Sequence, residues 1–304
     1  MVITKLEQLV SEAQKRGKRR FSVAYGQDEN TLTAVSEAVK LGFIEAIITG
    51  DEKEIKQTCE KLSIDFTAFE ILNEPDEMKA GILAAQVINE GKADIFMKGL
   101  ISTDKYLRCI LNKETGLMPK GKNNVLTHVM VAEAPKAYHK LMIASDCAFI
   151  PEPDLNQKIA IVNYQIQIAN SLGIEVPKIA VIAFTEKANP KVQACIEAAL
   201  LAKMGDRGQF KNCIIDGPLA LDVAINMDAV KIKKVKSAVA GDADCLLFHN
   251  LEAGNVFYKA ITKLVKAEAA AIVAGAKVPA ILPSRGDSEL SKLYSIALAC
   301  LMVK

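Results

Sequence analysis

Four stretches of this chain place phosphate-binding and proton-moving side chains where a strand gives way to a helix. The first is PSRGDSELSKLYSIALA, starting at Pro283. The apolar run VPAIL (278–282) ends there. A short loop then carries Ser284, Arg285, Gly286 and Asp287 into a helix that puts Leu290, Leu293, Ala297 and Leu301 on one face. A helix N-terminus presents unpaired N–H groups and the positive end of the peptide dipole, so a loop at the carboxyl end of a strand is where α/β folds hold anions. Arg285 adds a permanently charged planar fork that fits phosphate. The same residues also have a purely local reading, with Asp287 or Ser288 as the helix cap and Arg285 as a surface ion pair.

The second stretch, DADCLLFHNLEAGNVFYKAI (242–261), repeats the pattern. Asn250 and Asn255 offer side-chain amides, and Gly254 permits close backbone approach; an ordinary strand-to-helix turn would look similar. The third is MKGLISTDKYLRCIL (97–111), in which Lys98 closes a strand, Ser102, Thr103 and Asp104 can cap a helix, and Arg108 follows one turn later. Lys98 and Arg108 could both face a phosphate or both face water. The fourth is DGPLALDVAIN (216–226), where Asp216-Gly217-Pro218 is a turn signal with Asp222 just beyond.

Other chemistries lack their residues. There is no G-x-G-x-x-G for a dinucleotide and no G-x-S-x-G nucleophile elbow. Gly116–Lys122 reads GLMPKGK, but Asn123 stands where a P-loop needs Ser or Thr, and no buried strand precedes it. His128, His139 and His249 are scattered, without an H-E-x-x-H or Cys/His cluster, so no metal site is expected.

The elements that must carry these residues are legible as apolar runs. FSVAY (21–25), AIIT (46–49), DIFMK (94–98), KIAVIAF (178–184), NCIID (212–216), DCLLF (244–248) and VPAIL lack polar alternation, as strands covered on both faces do. Helix-length segments lie between them. Leu155, Ile159, Val162, Ile166 and Ala169 form one stripe, with Asp154 and Gln157 as a capping box and Gly173 as the stop. Leu32, Val35 and Val39 form another, stopped at Gly42. This alternation predicts an α/β fold with mostly parallel sheets. Length suggests two domains or one large one, with a candidate boundary between Pro135 and Pro153, and VLTHVMVAEA (125–134) reads as an antiparallel strand.

Composition narrows the partners. A net charge of +2 gives no strong field for nucleic acid, the run Lys15–Arg20 reads as a solvated helix end, and the absence of tryptophan argues against a base-stacking surface. Seven cysteines, none in a Cys-x-x-Cys pair, read as thiols in a reducing cytoplasm. The first twenty residues look like neither a secretory signal nor a transit peptide, and no apolar run is long enough for a membrane span.

Taken in order, MKG…ST…R (from Met97 to Arg108), Ser145-Asp146…Pro151-x-Pro153, DGPL…D, LLFHNLEAGNVFYK and the terminal SRG resemble the phosphate acetyl/butyryltransferase family, from about Ile95 onward. The chain length and the SRGDS form look more like the butyryl branch. The resemblance implies two α/β/α domains with a cleft between them, similar to isocitrate/isopropylmalate dehydrogenases, drawn as residues 1–139 with 283–304 and residues 140–282. It implies acyl transfer between coenzyme A and inorganic phosphate, with no tightly bound cofactor, and a homodimer or larger oligomer. It assigns function to Ser284 and Arg285 and matches Arg108 to the arginine after the ST motif. Lys98, Ser102, Thr103, Arg108, Asn250, Gly254, Asn255 and Gly286 are the expected substrate- and CoA-binding residues. Acetyl-type members carry an aspartate, proposed as the thiol base, where this chain has Ser291; either Asp287 or Glu289 substitutes, or the base lies elsewhere. The alternatives are a phosphate acetyltransferase, an acyl-CoA or acyl-phosphate binding protein without turnover, and a metal-dependent decarboxylating dehydrogenase of similar fold.

Overall fold

The computed structural model describes residues 2–121, 125–283 and 287–303. The chain folds as α1 (Glu7–Lys15), β1 (Arg19–Ala24), α2 (Glu29–Lys40), β2 (Ile44–Gly50), α3 (Glu52–Lys61), β3 (Glu70–Asn73), α4 (Glu77–Asn89), β4 (Ile95–Lys98) and α5 (Thr103–Leu111). It continues through β5 (Thr127–Glu133), β6 (Met142–Ser145), α6 (Leu155–Ser171), β7 (Lys178–Ile182), α7 (Gln193–Asp206) and β8 (Ile214–Leu219). Then come α8 (Leu221–Ile225), α9 (Met227–Lys233), β9 (Cys245–Leu247), α10 (Leu251–Lys259), β10 (Glu268–Ala274), β11 (Ala280–Ile281) and α11 (Glu289–Met302).

Two compact units emerge. One comprises Glu7–Asn124 with Ala270–Lys304, the other Met1–Leu6 with Val125–Ala269. These changeovers differ from the 139/140 and 282/283 drawn from sequence. The reason is pairing: β5 runs antiparallel to β6, Val131 opposite Ile143, and so goes with the strands that follow it.

In the first unit the strand order is β3-β2-β1-β4-β11-β10, parallel except for β10 against β11. Strands buried on both faces need no polar alternation, and β4 is buried at every position. Helix α4 is tied to the sheet by hydroxyls, Ser22 Oγ donating to the Ala84 carbonyl at 2.8 Å and Thr49 Oγ1 to that of Ala80 at 2.9 Å. Tyr106 of α5 stacks on Phe96 at 4.6 Å and donates its hydroxyl to the Phe96 carbonyl, so this buried phenol is satisfied. The stripe expected on α11 is corrected. Leu290 is 49% exposed and Leu293 only half-buried; the buried face opens instead with Lys292 and Ser295 and becomes apolar from Ile296 to Leu301.

In the second unit the order is β5-β6-β9-β7-β8, again mixed. Met130, Tyr138, Met142, Leu219, Val223, Leu246 and Phe248 belong to one buried cluster. The capping box of α6 forms as read, Asp154 and Gln157 bonding reciprocally, and Gly173 follows the helix at φ +82°. The turn expected at Asp216-Gly217-Pro218 is instead part of β8. As the last strand in its order, β8 has an edge whose N–H groups need no ladder partner, and proline is tolerated there.

Candidate active site

Each unit gathers expected residues at the carboxyl ends of its strands. In the first unit, Lys98 closes β4 and is 8% exposed. Gly99 beside it must lack a side chain, because a Cβ there would lie 2.6 Å from both the Gly26 Cα and the Tyr25 carbonyl oxygen. Ser102 caps α5, accepting from the Lys105 N–H, while its own N–H donates to Glu77 Oε1 at 2.7 Å. Thr103 begins that helix on its exposed side. Arg108 lies on the solvent face of α5, paired with Asp104 at 3.0 Å, both side chains 70% exposed. Of the two cations Lys98 and Arg108, then, it is Lys98 that lines a pocket.

That pocket, about 40 Å³, is bounded by Asp28, Thr31, Lys98, Gly99, Pro283 and Lys292 among others. Ser284, Arg285 and Gly286 follow Pro283 directly and lie outside the described residues. Asp287 is half-buried. Of the two caps read from sequence, Ser288 is the one that forms, its Oγ accepting from the Ser291 N–H at 3.0 Å. Ser291 is therefore part of the first helical turn.

In the second unit the loop after β6 and the turn after β9 interlock. The Phe248 N–H donates to the Ser145 carbonyl at 2.9 Å, and the Leu251 N–H to that of Pro151. Asn250 caps α10, Gly254 packs against the Asp146 carbonyl, and Asn255 Nδ2 donates to the Cys147 carbonyl at 3.0 Å. The structure thus brings Asn250, Gly254 and Asn255 together around the Ser145-Asp146 segment. Asp146 is 2% exposed and accepts from Thr127 Oγ1 and from the N–H groups of Ala148 and Phe149. Burial still pushes its carboxyl above the usual range, against the pull of those donors.

Sequence reading missed a charged group at this end of β9. Lys158 of α6, 2% exposed, donates to Glu197 of α7 and lies 2.9 Å from His249 Nδ1. Burial, with the Lys158 charge adding to it, lowers the His249 imidazole from its usual value. With Nδ1 facing a lysine that can only donate, the neutral ring carries its proton on Nε2. The one available signal was the polar HN pair ending the apolar run DCLLF.

An α/β protein with polar loops at the carboxyl ends of its strands belongs to the class that binds ligands there. The comparisons narrow that class. The model of the family described as "Phosphate acetyl/butaryl transferase" matches residues 5–81 and 76–300. The phosphate butyryltransferase of Clostridium acetobutylicum is 42% identical over 301 residues, 99% of each chain. The phosphate acetyltransferase of Thermotoga maritima is 40% identical, covering 97% of this chain and 98% of its own. A solved branched-chain phosphotransacylase from Enterococcus faecalis superposes with a TM-score of 0.82 at 29% identity, over 94% of this chain and 99% of the other. The chain belongs to the phosphate acetyl/butyryltransferase family.

Proposed function

We propose that this acyltransferase moves a short acyl group, butyryl or a close relative, between coenzyme A and inorganic phosphate: acyl-CoA plus phosphate gives acyl phosphate plus CoA. The observation that carries the reading is identity of 42% along 99% of a phosphate butyryltransferase. A phosphate oxygen attacks the thioester carbonyl, the C–S bond breaks, and the sulfur leaves with a proton. In reverse, the CoA thiol must lose that proton to attack, since a thiol near pKa 8.5 is mostly neutral at pH 7.

In this reading Arg285 and Arg108 hold the phosphate and stabilise the charge that grows on it, Arg108 giving up its exposed pair with Asp104 to do so, Lys98 belongs to the substrate- and CoA-binding residues, and Ser284 donates to the departing sulfur or the oxyanion. A single such donor is worth roughly 10²–10³ in rate. Asp287 is the candidate base, in place of the aspartate missing at Ser291. Gly286, Ser102 and Thr103 belong to the substrate loops, and Asn250, Gly254 and Asn255 to the turn that contacts CoA. A two-domain cleft of the isocitrate/isopropylmalate dehydrogenase type, a homodimer, and a cytoplasmic location without tightly bound cofactor are part of the same proposal. No helix among the described residues is long and apolar enough to cross a membrane.

The test is thiol release from acetyl-, butyryl- and isobutyryl-CoA with and without phosphate. Phosphate-dependent release fastest with a four-carbon ester is expected. CoA binding without release from any ester would overturn the reading in favour of a binding protein.

A further inference from the structure

His249 stands in the turn after β9, immediately before Asn250, the cap of α10, with its side chain 33% exposed. Its Nδ1 faces the Lys158 ammonium at 2.9 Å, with Glu197 Oε2 farther off at 3.6 Å. Lys158 is the fourth residue of α6, is buried, and pairs with the Glu197 carboxylate. An ammonium has N–H groups to give and no lone pair to receive. Burial and the Lys158 charge favour the neutral ring, against the opposing pull of Glu197 and Glu152. Nδ1 therefore accepts, and the ring's one proton sits on Nε2. That Nε2–H has no partner among the described residues.

An N–H left open at the carboxyl end of a strand lies where α/β folds meet their ligands. It is a dipole without net charge, and the cation behind it is already matched by Glu197. Such a donor fits a neutral carbonyl oxygen better than a phosphate, which draws cations. The thioester oxygen of an acyl-CoA gains charge during the reaction, whereas the amide carbonyls of the pantetheine arm stay neutral throughout. We propose that His249 is a further substrate-binding residue, its Nε2–H donating to an amide carbonyl of the pantetheine arm, and that Lys158 is the positioning residue that fixes this proton on Nε2. The ligand rests on the acyl-transfer reading; the tautomer follows from Lys158 and His249 alone. The same geometry bars His249 from serving as the thiol base, because neither ring nitrogen keeps a free lone pair.

The test compares His249→Phe, which keeps a ring without its nitrogens, with His249→Gln, whose amide N–H reaches the place of Nε2. Losing one neutral hydrogen bond is expected to raise the KM for butyryl-CoA about 3- to 10-fold in His249→Phe. Its kcat and its KM for phosphate should stay within about twofold, as should every constant of His249→Gln. Lys158→Met leaves Glu197 as the neighbour of Nδ1, so the proton moves there and CoA binding becomes pH-dependent. Its affinity, relative to wild type by calorimetry between about pH 5.5 and 8, should match in acid, where the imidazolium still carries Nε2–H. It should fall about 3- to 10-fold once the ring is neutral, while Lys158→Arg keeps the wild-type profile. Histidine ¹⁵N spectra, assigned with His249→Gln, should show Nε2 protonated in the wild type. An unchanged butyryl-CoA KM in His249→Phe, an equal rise in the phosphate KM, or a wild-type proton on Nδ1 would each overturn the proposal. So would a fall in kcat at constant KM, which would move the bond to the thioester. CoA calorimetry on the His249 variants decides the question even if no ester releases thiol, and even if Lys158→Met fails to fold by circular dichroism.

Discussion

A methyl group on Gly254 would lie 1.9 Å from the carbonyl oxygen of Asp146. That is well inside van der Waals contact, and the obstacle is backbone, which cannot swing aside as a side chain can. Gly254→Ala is therefore expected to push α10 away from the loop after β6. The cost should be about 2–3 kcal/mol, in the range of overpacking a filled site. Urea melts followed by circular dichroism check the stability, and turnover should fall with it, because the same turn carries Asn250 and Asn255.

Lys158 and Glu197 are a buried pair, side chains 2% and 13% exposed. Removing one partner strands the other, so Lys158→Ala is expected to destabilise by about 3 kcal/mol. Replacing both, Lys158→Met with Glu197→Leu, should return most of that loss. Burial raises the Glu197 carboxyl, but the bonds from Lys158 and Gln193 outweigh it and hold it below the usual range. The pair's contribution is thus present above the ordinary carboxylate pKa and is lost on acidification through the depressed value. Melts of the single and double variants at pH 7 and pH 4 measure this directly.

His128 is 6% exposed, packed edge-on against Phe149 and Tyr258, and its Nδ1 makes no hydrogen bond among the described residues. Burial lowers its imidazole from 6.5 to about 4. Between those values the unfolded chain binds a proton that the folded chain refuses. Stability is then full above about pH 6.5 and falls by about 3 kcal/mol as the pH drops to 4. His128→Phe should flatten that slope in urea midpoints measured between pH 7 and 4.

Arg285→Ala is expected to lower turnover roughly 10²–10³-fold, as removal of a transition-state donor does. Arg285→Lys should recover little, because a bidentate fork is not replaced by a point charge. Circular dichroism should be unchanged in both. Near-normal turnover in a folded Arg285→Ala would remove that residue from the mechanism.

Much of the scaffold was legible because its signals are local. Asp154 and Gln157 form the box their spacing predicts, and Leu32 and Val35 are buried as their periodicity requires. What escaped depends on tertiary context. The segment EAAAIVA (268–274) is alanine-rich, which favours helix, yet it is strand β10, fixed by pairing with β11 and by Ser295 Oγ accepting from the Ala271 N–H. Lys158 and Lys292 each stand fourth in a helix with a capped N-terminus, and both turn inward. Nothing in a sequence distinguishes an inward lysine from the usual surface one. The SRG loop was singled out from sequence; the buried cation waiting one helical turn beyond it was not.

The pocket beside Lys98 draws its lining from positions 28, 30–31, 98–100, 283 and 292, stretches that meet only when β4, α2 and α11 are all seated. No fragment of the unit reproduces it. Any ligand that settles there binds the seated form alone, and so opposes every opening that lifts α11 from the sheet. The amide hydrogens of α11 and β4 would then exchange more slowly with that ligand than without it.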